Sequence, residues 1–287
     1  MSGGMAEPSV STRAVMRTER SFMVEVMVFS SFCIVIDWAF GFGACSPRWH
    51  LLYWSMNDAP ELLLDAAERW ATIVATGPES EAFLQGQLSQ DLHAVPANGV
   101  WALLLAPDSV VITSCFVTPN PDGFTLAVPR ELGDAAFARL RRFLLRTKCT
   151  LELVDVDTGP FTNVAERIRL GIPGPVEFEK QLTPHTFGAS FVRSTISFTK
   201  GCFTGQELVG RLDARGSSVP WRLVRATGPS EERVNEVLHS KGPAGPSGLT
   251  SVTGRDGALV ALGIAHRTLL GSDELALATD VDIEAID

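Results

Sequence analysis

Two apolar runs, Val100–Leu105 and residues 110–117, are parted only by Ala106-Pro107-Asp108-Ser109. A connection this short joins antiparallel strands, because a parallel pair needs a crossover of a dozen or more residues. The sheet continues at 124–128 after the turn Pro119-Asn120-Pro121-Asp122-Gly123. A strand at 70–75 precedes it, ending at Gly77-Pro78, and another follows at 149–154. Helical spacing marks 78–88, with Phe83 and Leu84 on the apolar face. It also marks 131–145, where Leu132, Ala136, Leu140, Phe143 and Leu144 share a face. Strands and helices therefore mix without regular β-α-β alternation, which predicts an α+β fold and not a doubly wound one.

Further along, a Gly/Pro-rich loop at Gly171-Ile172-Pro173-Gly174-Pro175 leads to a strand-like run at 194–198 and a helix at about 205–214. Beyond Trp221 short strand-like segments (222–226, 249–252, 259–265, 274–278) are separated by Gly- and Pro-bearing turns. They predict a small C-terminal β-barrel.

The N-terminal stretch has a different character. Arg13, Arg17 and Arg20 precede a run rich in Met, Val, Phe and Ile at 22–44, ending in Gly43-Ala44-Cys45, which hints at a cleaved leader. Glu25 and Asp37 interrupt that run with 11 residues between them, against about 20 apolar residues for a membrane helix. A central Asp costs roughly 2.5–3.5 kcal/mol on insertion scales. Residues 1–55 are accordingly read as an N-terminal extension, poorly ordered or translated from upstream, ahead of a domain that begins near Met56.

Charge narrows the function classes. Lys and Arg total 24 against 33 Asp and Glu, a net −9, which argues against a protein that coats DNA. The five cysteines (Cys33, Cys45, Cys115, Cys149, Cys202) are odd in number and widely spaced, with no C-x-x-C pair. That spacing speaks against a disulfide scaffold and a preformed zinc site, and it favours a reducing, cytoplasmic setting.

Chemistry concentrates in Lys200-Gly201-Cys202-Phe203-Thr204-Gly205-Gln206-Glu207-Leu208-Val209-Gly210-Arg211, which reads as strand, tight turn and helix. Thr204 and Glu207 have capping-box spacing, so Thr204 is the expected N-cap. Glu207 and Arg211 sit four apart and pair on one face; Leu208 and Leu212 are expected on the buried face. Cys202 then lies just before a helix N-terminus, two residues from Lys200, and both the dipole and an ammonium favour a thiolate. On residues alone, a small buried cysteine in a structural turn, with Glu207 merely capping, is the better account. Ser197-Phe198-Thr199-Lys200 also fits the S-x-x-K of acyl-serine enzymes, but without that class's companion motifs.

The stretch from Lys200 to Glu207 with Arg211 resembles the K-G-C-[YF]-x-G-Q-E-x-x-x-R signature of the YgfZ family, folate-binding relatives of the glycine-cleavage T-protein, an aminomethyltransferase. Residues 77–91, containing Phe83-Leu84-Gln85-Gly86-Gln87-Leu88-Ser89-Gln90-Asp91, resemble its F-L-Q-G-Q-L-S/T-x-D opening. Leu145-Arg146-Thr147-Lys148, Arg167 to Pro173, and Gly248-Leu249-Thr250-Ser251 match further family segments. The similarity covers about residues 60–280. Two departures stand out. Pro184-His185-Thr186 replaces the family's P-x-E and so lacks a carboxylate. The T-protein's catalytic Asp has no counterpart among Pro129, Arg130 and Glu131, with Asp134 nearby but unaligned.

The resemblance implies mixed and antiparallel sheets with flanking helices in a ring of subdomains. These are a folate-binding-like part at 56–158, a part at 159–220 carrying the Lys-Gly-Cys motif, and the barrel at 221–287. It implies a tetrahydrofolate-binding accessory protein for iron–sulfur cluster assembly or repair, with an indirect role in tRNA modification. Cys202 and Lys200 are its catalytic pair, Gln206, Glu207, Arg211, Arg142 and Arg146 its folate contacts, and Cys202 a transient cluster contact without a stable metal. Expected partners are folate, iron–sulfur client or carrier proteins and a weak tRNA contact, with no DNA, no membrane and a monomeric state. The alternatives are a folate-dependent aminomethyltransferase and a tRNA-modification scaffold without folate. The cations Arg139, Arg141, Arg142, Arg146 and Lys148 suit a polyglutamate tail or an RNA phosphate, or simply a solvated face.

Overall fold

A computed structural model gives the fold. It describes residues 68–287 except 94, 155, 157–158, 161–162, 217 and 256–257, together with the backbone of four earlier strands. The chain divides into two compact units, Met1–Leu63 and Leu64–Asp287.

The first unit contains β1 (Arg13–Arg17), β2 (Phe22–Phe29), β3 (Phe32–Ala39) and β4 (Ser46–Leu52), paired in sequence order as an antiparallel meander. The stretch read from sequence as an extension thus carries four strands of its own.

The second unit opens with β5 (Trp70–Thr76), α1 (Ser80–Gln87), β6 (Val100–Leu105), β7 (Val111–Asn120), β8 (Gly123–Pro129), α2 (Arg130–Phe143) and β9 (Thr150–Val154). The strands form one sheet in the order β6-β7-β8-β5-β9, antiparallel at every pairing. β6 explains its own composition. Ala102 and Leu104 enter the core beneath α1 and α2, while Leu103 and Leu105 enter a second core with Phe178, Phe187, Phe203 and Val209. A strand buried on both faces reads as a continuous apolar run, not an alternating one.

Next come α3 (Val164–Leu170), α4 (Pro175–Phe178), a 3-10 turn at Pro184–Phe187, α5 (Ala189–Thr195) and α6 (Gln206–Ala214). The strand expected at 194–198 is therefore wrong. Residues 189–195 are helical, and Ile196 supplies the extended C-cap. The buried residues of this helix, Val192 and Thr195, lie three apart on one face.

The C-terminal part comprises β10 (Trp221–Gly228), α7 (Glu231–His239), β11 (Gly248–Arg255), β12 (Ala258–His266), α8 (Asp273–Leu277) and β13 (Asp282–Ala285). Its sheet is open, in the order β11-β12-β10-β13, and the expected closed barrel is not formed. Closure would require β11 to pair with β13, which has 4 residues; α7 instead covers this sheet through Val234, Val237 and Leu238. The strand expected at 274–278 is α8, started by Ser272, whose side chain accepts from the Leu275 N–H. No helix among the described residues is long and apolar enough to cross a membrane.

Candidate functional site

α1 ends at Gln87, where Leu88 takes an extended backbone, and no glycine closes the helix. The last carbonyls of a helix have no partners within it. Here a lysine from far along the chain meets them. Lys200 Nζ donates to the carbonyl oxygens of Gln85 (2.7 Å), Leu88 (2.7 Å) and Gln90 (2.9 Å). An ammonium has three protons, and all three are used. Lys200 is 8% exposed, with Nζ 5.2 Å from the centre of the Phe203 ring. Burial draws its pKa down to about 8, and Asp91 opposes that shift; the carbonyls also favour the charged form.

The acceptor loop is itself fixed. Gln85 Nε2 donates to Asp91 Oδ1 at 2.8 Å, and Gln85 Oε1 accepts from the Leu92 N–H at 2.8 Å. Ser89 is fully buried. Its hydroxyl donates to the Thr195 carbonyl at 2.6 Å and accepts from the Leu103 N–H at 2.8 Å. The family-like run at 83–91 thus becomes a cage of carbonyls, held from both ends.

Cys202 lies in the turn that Lys200 begins. The Thr204 N–H donates to the Gly86 carbonyl at 3.2 Å, the Ser109 hydroxyl donates to the Gly205 carbonyl, and Phe203 is buried. Gly205 has φ +82, and a Cβ there would meet the Ala106 carbonyl oxygen at 2.7 Å. Residues 200, 203, 204 and 205 are therefore anchored, while Gly201 and Cys202 are exposed. This turn presents one thiol on a rigid base.

The other expected site residues separate. Gln206 is the first residue of α6, half-buried, with its N–H on the Phe203 carbonyl at 3.2 Å. Glu207 and Arg211 form the expected exposed pair at 2.6 Å. Thr204 is not the N-cap: Gly205 is, without a side-chain cap. Nor is Leu208 buried; it is 39% exposed, and Val209 faces the core. Arg142 and Arg146 are exposed at and beyond the end of α2, and none of their described contacts reaches the cysteine turn. Arg139 of α2 reaches α1 instead, its Nη1 donating to Gln87 Oε1 at 3.4 Å. The S-x-x-K pattern is not assembled: Ser197 Oγ is 3.3 Å from Thr199 Oγ1, and Lys200 is committed elsewhere.

Two features escaped the sequence reading. Arg167 is a buried hub, bonded to Glu68 (3.2 Å), Glu177 (3.3 Å), the Ile172 carbonyl (2.8 Å) and Ser251 (3.1 Å). It ties α3 to β11 and to the residues before β5, and burial raises the Glu68 pKa. Secondly, a cleft of about 280 Å³ is lined by Trp101, Ser114, Phe187, Phe191, Ser194 and residues 170–173, among others. No group of three or more His, Cys, Asp or Glu side chains suited to a metal ion occurs among the described residues.

No protein-family model matches the chain, and no curated protein matches it. Among solved structures, the glycine cleavage system aminomethyltransferase T from Bartonella henselae is similar over 69% of this chain and 76% of its own. Its sequence identity is 12% and its TM-score 0.45.

Proposed function

We propose that this chain is a tetrahydrofolate-binding accessory protein of iron–sulfur cluster assembly or repair, with Cys202 as its working thiol. The observation that carries the reading is the anchored turn. The two segments that most resemble the YgfZ family, 83–91 and 200–211, are joined by Lys200 and Thr204, and Cys202 is left exposed on that joint. A buried lysine spent on backbone carbonyls and a single outward thiol suit a presentation device better than an acid–base centre.

The cleft beside residues 170–173 suits a flat heteroaromatic ring such as the pterin of tetrahydrofolate. Trp101 and Phe191 offer apolar faces, and Ser114, Ser190 and Ser194 offer hydroxyls. Bound there, tetrahydrofolate would supply one-carbon or reducing chemistry. An iron–sulfur cluster is cargo in this reading. Clusters usually take four ligands, so one thiolate contributes a contact and a partner supplies the rest.

Two measurements test the proposal. Cells lacking a YgfZ-type protein should be rescued by the wild type and not by Cys202→Ala. Calorimetric titration with tetrahydrofolate should give heat that Phe191→Ala reduces. Full rescue by Cys202→Ala overturns the thiol role. Absence of heat, and of any melting shift at millimolar ligand, favours a scaffold without folate. Aminomethyl transfer by the purified protein would favour the aminomethyltransferase alternative.

A further inference from the structure

We infer that Lys200 is a positioning residue, whose ammonium pins the Cys202 turn onto the C-terminal end of α1. This deepens the reading of Cys202 as the working thiol and rests on it. The sequence places Lys200 two residues from Cys202, which suggests a cation that activates the sulfur through its charge. The geometry assigns the charge elsewhere. Each proton of the ammonium points at a carbonyl, of Gln85, Leu88 or Gln90, and the side chain is buried against Phe203.

Three acceptors around one Nζ make the cage specific for a compact, three-proton cation. Arginine, with a planar fork, does not reproduce that arrangement. A neutral side chain of similar length leaves three carbonyls facing an apolar stem, one of them, of Gln85, in the last turn of α1. The pin acts on the thiol through the chain: Lys200, Gly201 and Cys202 are consecutive, and a Cβ at Gly201 would have no neighbour within 4 Å. Gly201 and Cys202 are both exposed. The turn is fixed by Lys200 on one side and by the hydrogen bond from Thr204 to Gly86 on the other. Loss of the first should loosen the second.

The test compares full-length wild type, Lys200→Ala, Lys200→Met, Lys200→Arg and Cys202→Ser by amide hydrogen exchange, read at residues 85–91 and 200–205. Hydrogen bonds to charged groups are stronger than neutral ones, so exchange at Thr204 should rise about ten-fold or more in Lys200→Ala and Lys200→Met. Methylammonium chloride should restore protection in Lys200→Ala but not in Lys200→Met, whose side chain fills the cage. Sodium chloride at equal ionic strength should restore neither. Lys200→Arg should resemble Lys200→Met, and Cys202→Ser should match the wild type. Unchanged exchange at 200–205 in both Lys200→Ala and Lys200→Met overturns the pin. So does loosening spread evenly over the fold with no response to methylammonium, which marks a general packing defect. None of these readouts depends on what Cys202 does, so rescue of cells by Cys202→Ala would remove the functional reading and leave the pin standing or falling by exchange alone.

Discussion

Lys200 Nζ lies 2.7 Å from the carbonyl oxygen of Leu88, 112 residues earlier in the chain. That bond joins a helix end to the turn bearing the exposed thiol, and it changes what the neighbouring lysine means. A cation close to a cysteine in sequence is easily read as an electrostatic activator. In the fold the same cation is a cap for α1, taking the place that a glycine with left-handed backbone fills in many helices.

Alkylation should separate the described cysteines by exposure. Cys202 is exposed, whereas Cys115 and Cys149 are buried. Burial pushes the Cys115 thiol up to about 12 and raises that of Cys149, and a thiol reacts through its thiolate. Iodoacetamide at pH 7, read residue by residue in the mass spectrometer, should label Cys202 long before the other two. Comparable labelling of Cys115 in the native protein would mean that the β6–β7 core opens readily, contrary to its packing.

Gly205→Ala should damage the same turn from the other side. Its φ of +82 is strained for any side chain, and the new methyl would meet the Ala106 carbonyl oxygen at 2.7 Å. The backbone here cannot retreat freely, because the Gly205 carbonyl accepts from the buried Ser109 hydroxyl. A loss of about 1–3 kcal/mol is expected, measured by urea unfolding. Gly201→Ala, with open space around its Cβ, should cost far less and serves as the control.

Much of this was legible in the sequence, for stated reasons. The hairpin forms, with β7 running on to Asn120, and the amphipathic helix forms at Arg130–Phe143, shorter than the 131–145 expected and with Phe143 exposed, because turn length and the 3.6 period report on local geometry. The i,i+4 pair of Glu207 and Arg211 is local too, and it forms. Errors came where tertiary contacts outweighed local signals. The Thr204 N–H is taken by Gly86 across the fold, so the capping box that its spacing with Glu207 suggested does not form. The strand expected at 194–198 does not form: residues 194 and 195 end α5, whose Val192 shares a core with Phe187, and Ile196 is its extended C-cap. Neither the carbonyl cage nor the Arg167 hub has a local signature, since each draws partners from distant segments.

Arg167 should matter more to stability than any exposed charge. It is 5% exposed and faces Glu68 and Glu177, both buried, while Glu177 Oε2 also accepts from the Gly174 N–H at 2.7 Å. Arg167→Met would leave two carboxylates without their cation, and breaking a buried pair this way costs about 3–5 kcal/mol. Adding Glu177→Gln to that variant should recover part of the loss. Glu207→Gln, which breaks only an exposed pair, should change unfolding by less than about 1 kcal/mol. Equal effects of the two single variants in urea would show that the hub is solvated.

His185 should make the protein sensitive to mild acid. It is 1% exposed, neither ring nitrogen has a hydrogen-bond partner, and burial lowers its pKa from the ordinary 6.5. Asp213 pulls the value up and Arg222 pushes it down, and burial outweighs both. The folded protein therefore keeps the ring neutral over a range in which the unfolded chain already binds a proton. Below pH 6.5 the unfolded state holds more protons, so stability falls as pH falls until the folded-state pKa is reached, with a slope of at most about 1.4 kcal/mol per pH unit. Above pH 6.5 the contribution is complete and constant. His185→Leu removes the titration and abandons no hydrogen bond. Urea unfolding of both proteins at pH 7 and pH 5 isolates the effect, because other groups, Glu68 among them, titrate in each. The wild type should lose more stability on acidification than His185→Leu. Equal losses would show that the ring finds a partner in solution, and that its burial among the 3-10 turn, α6 and β10 is not dry.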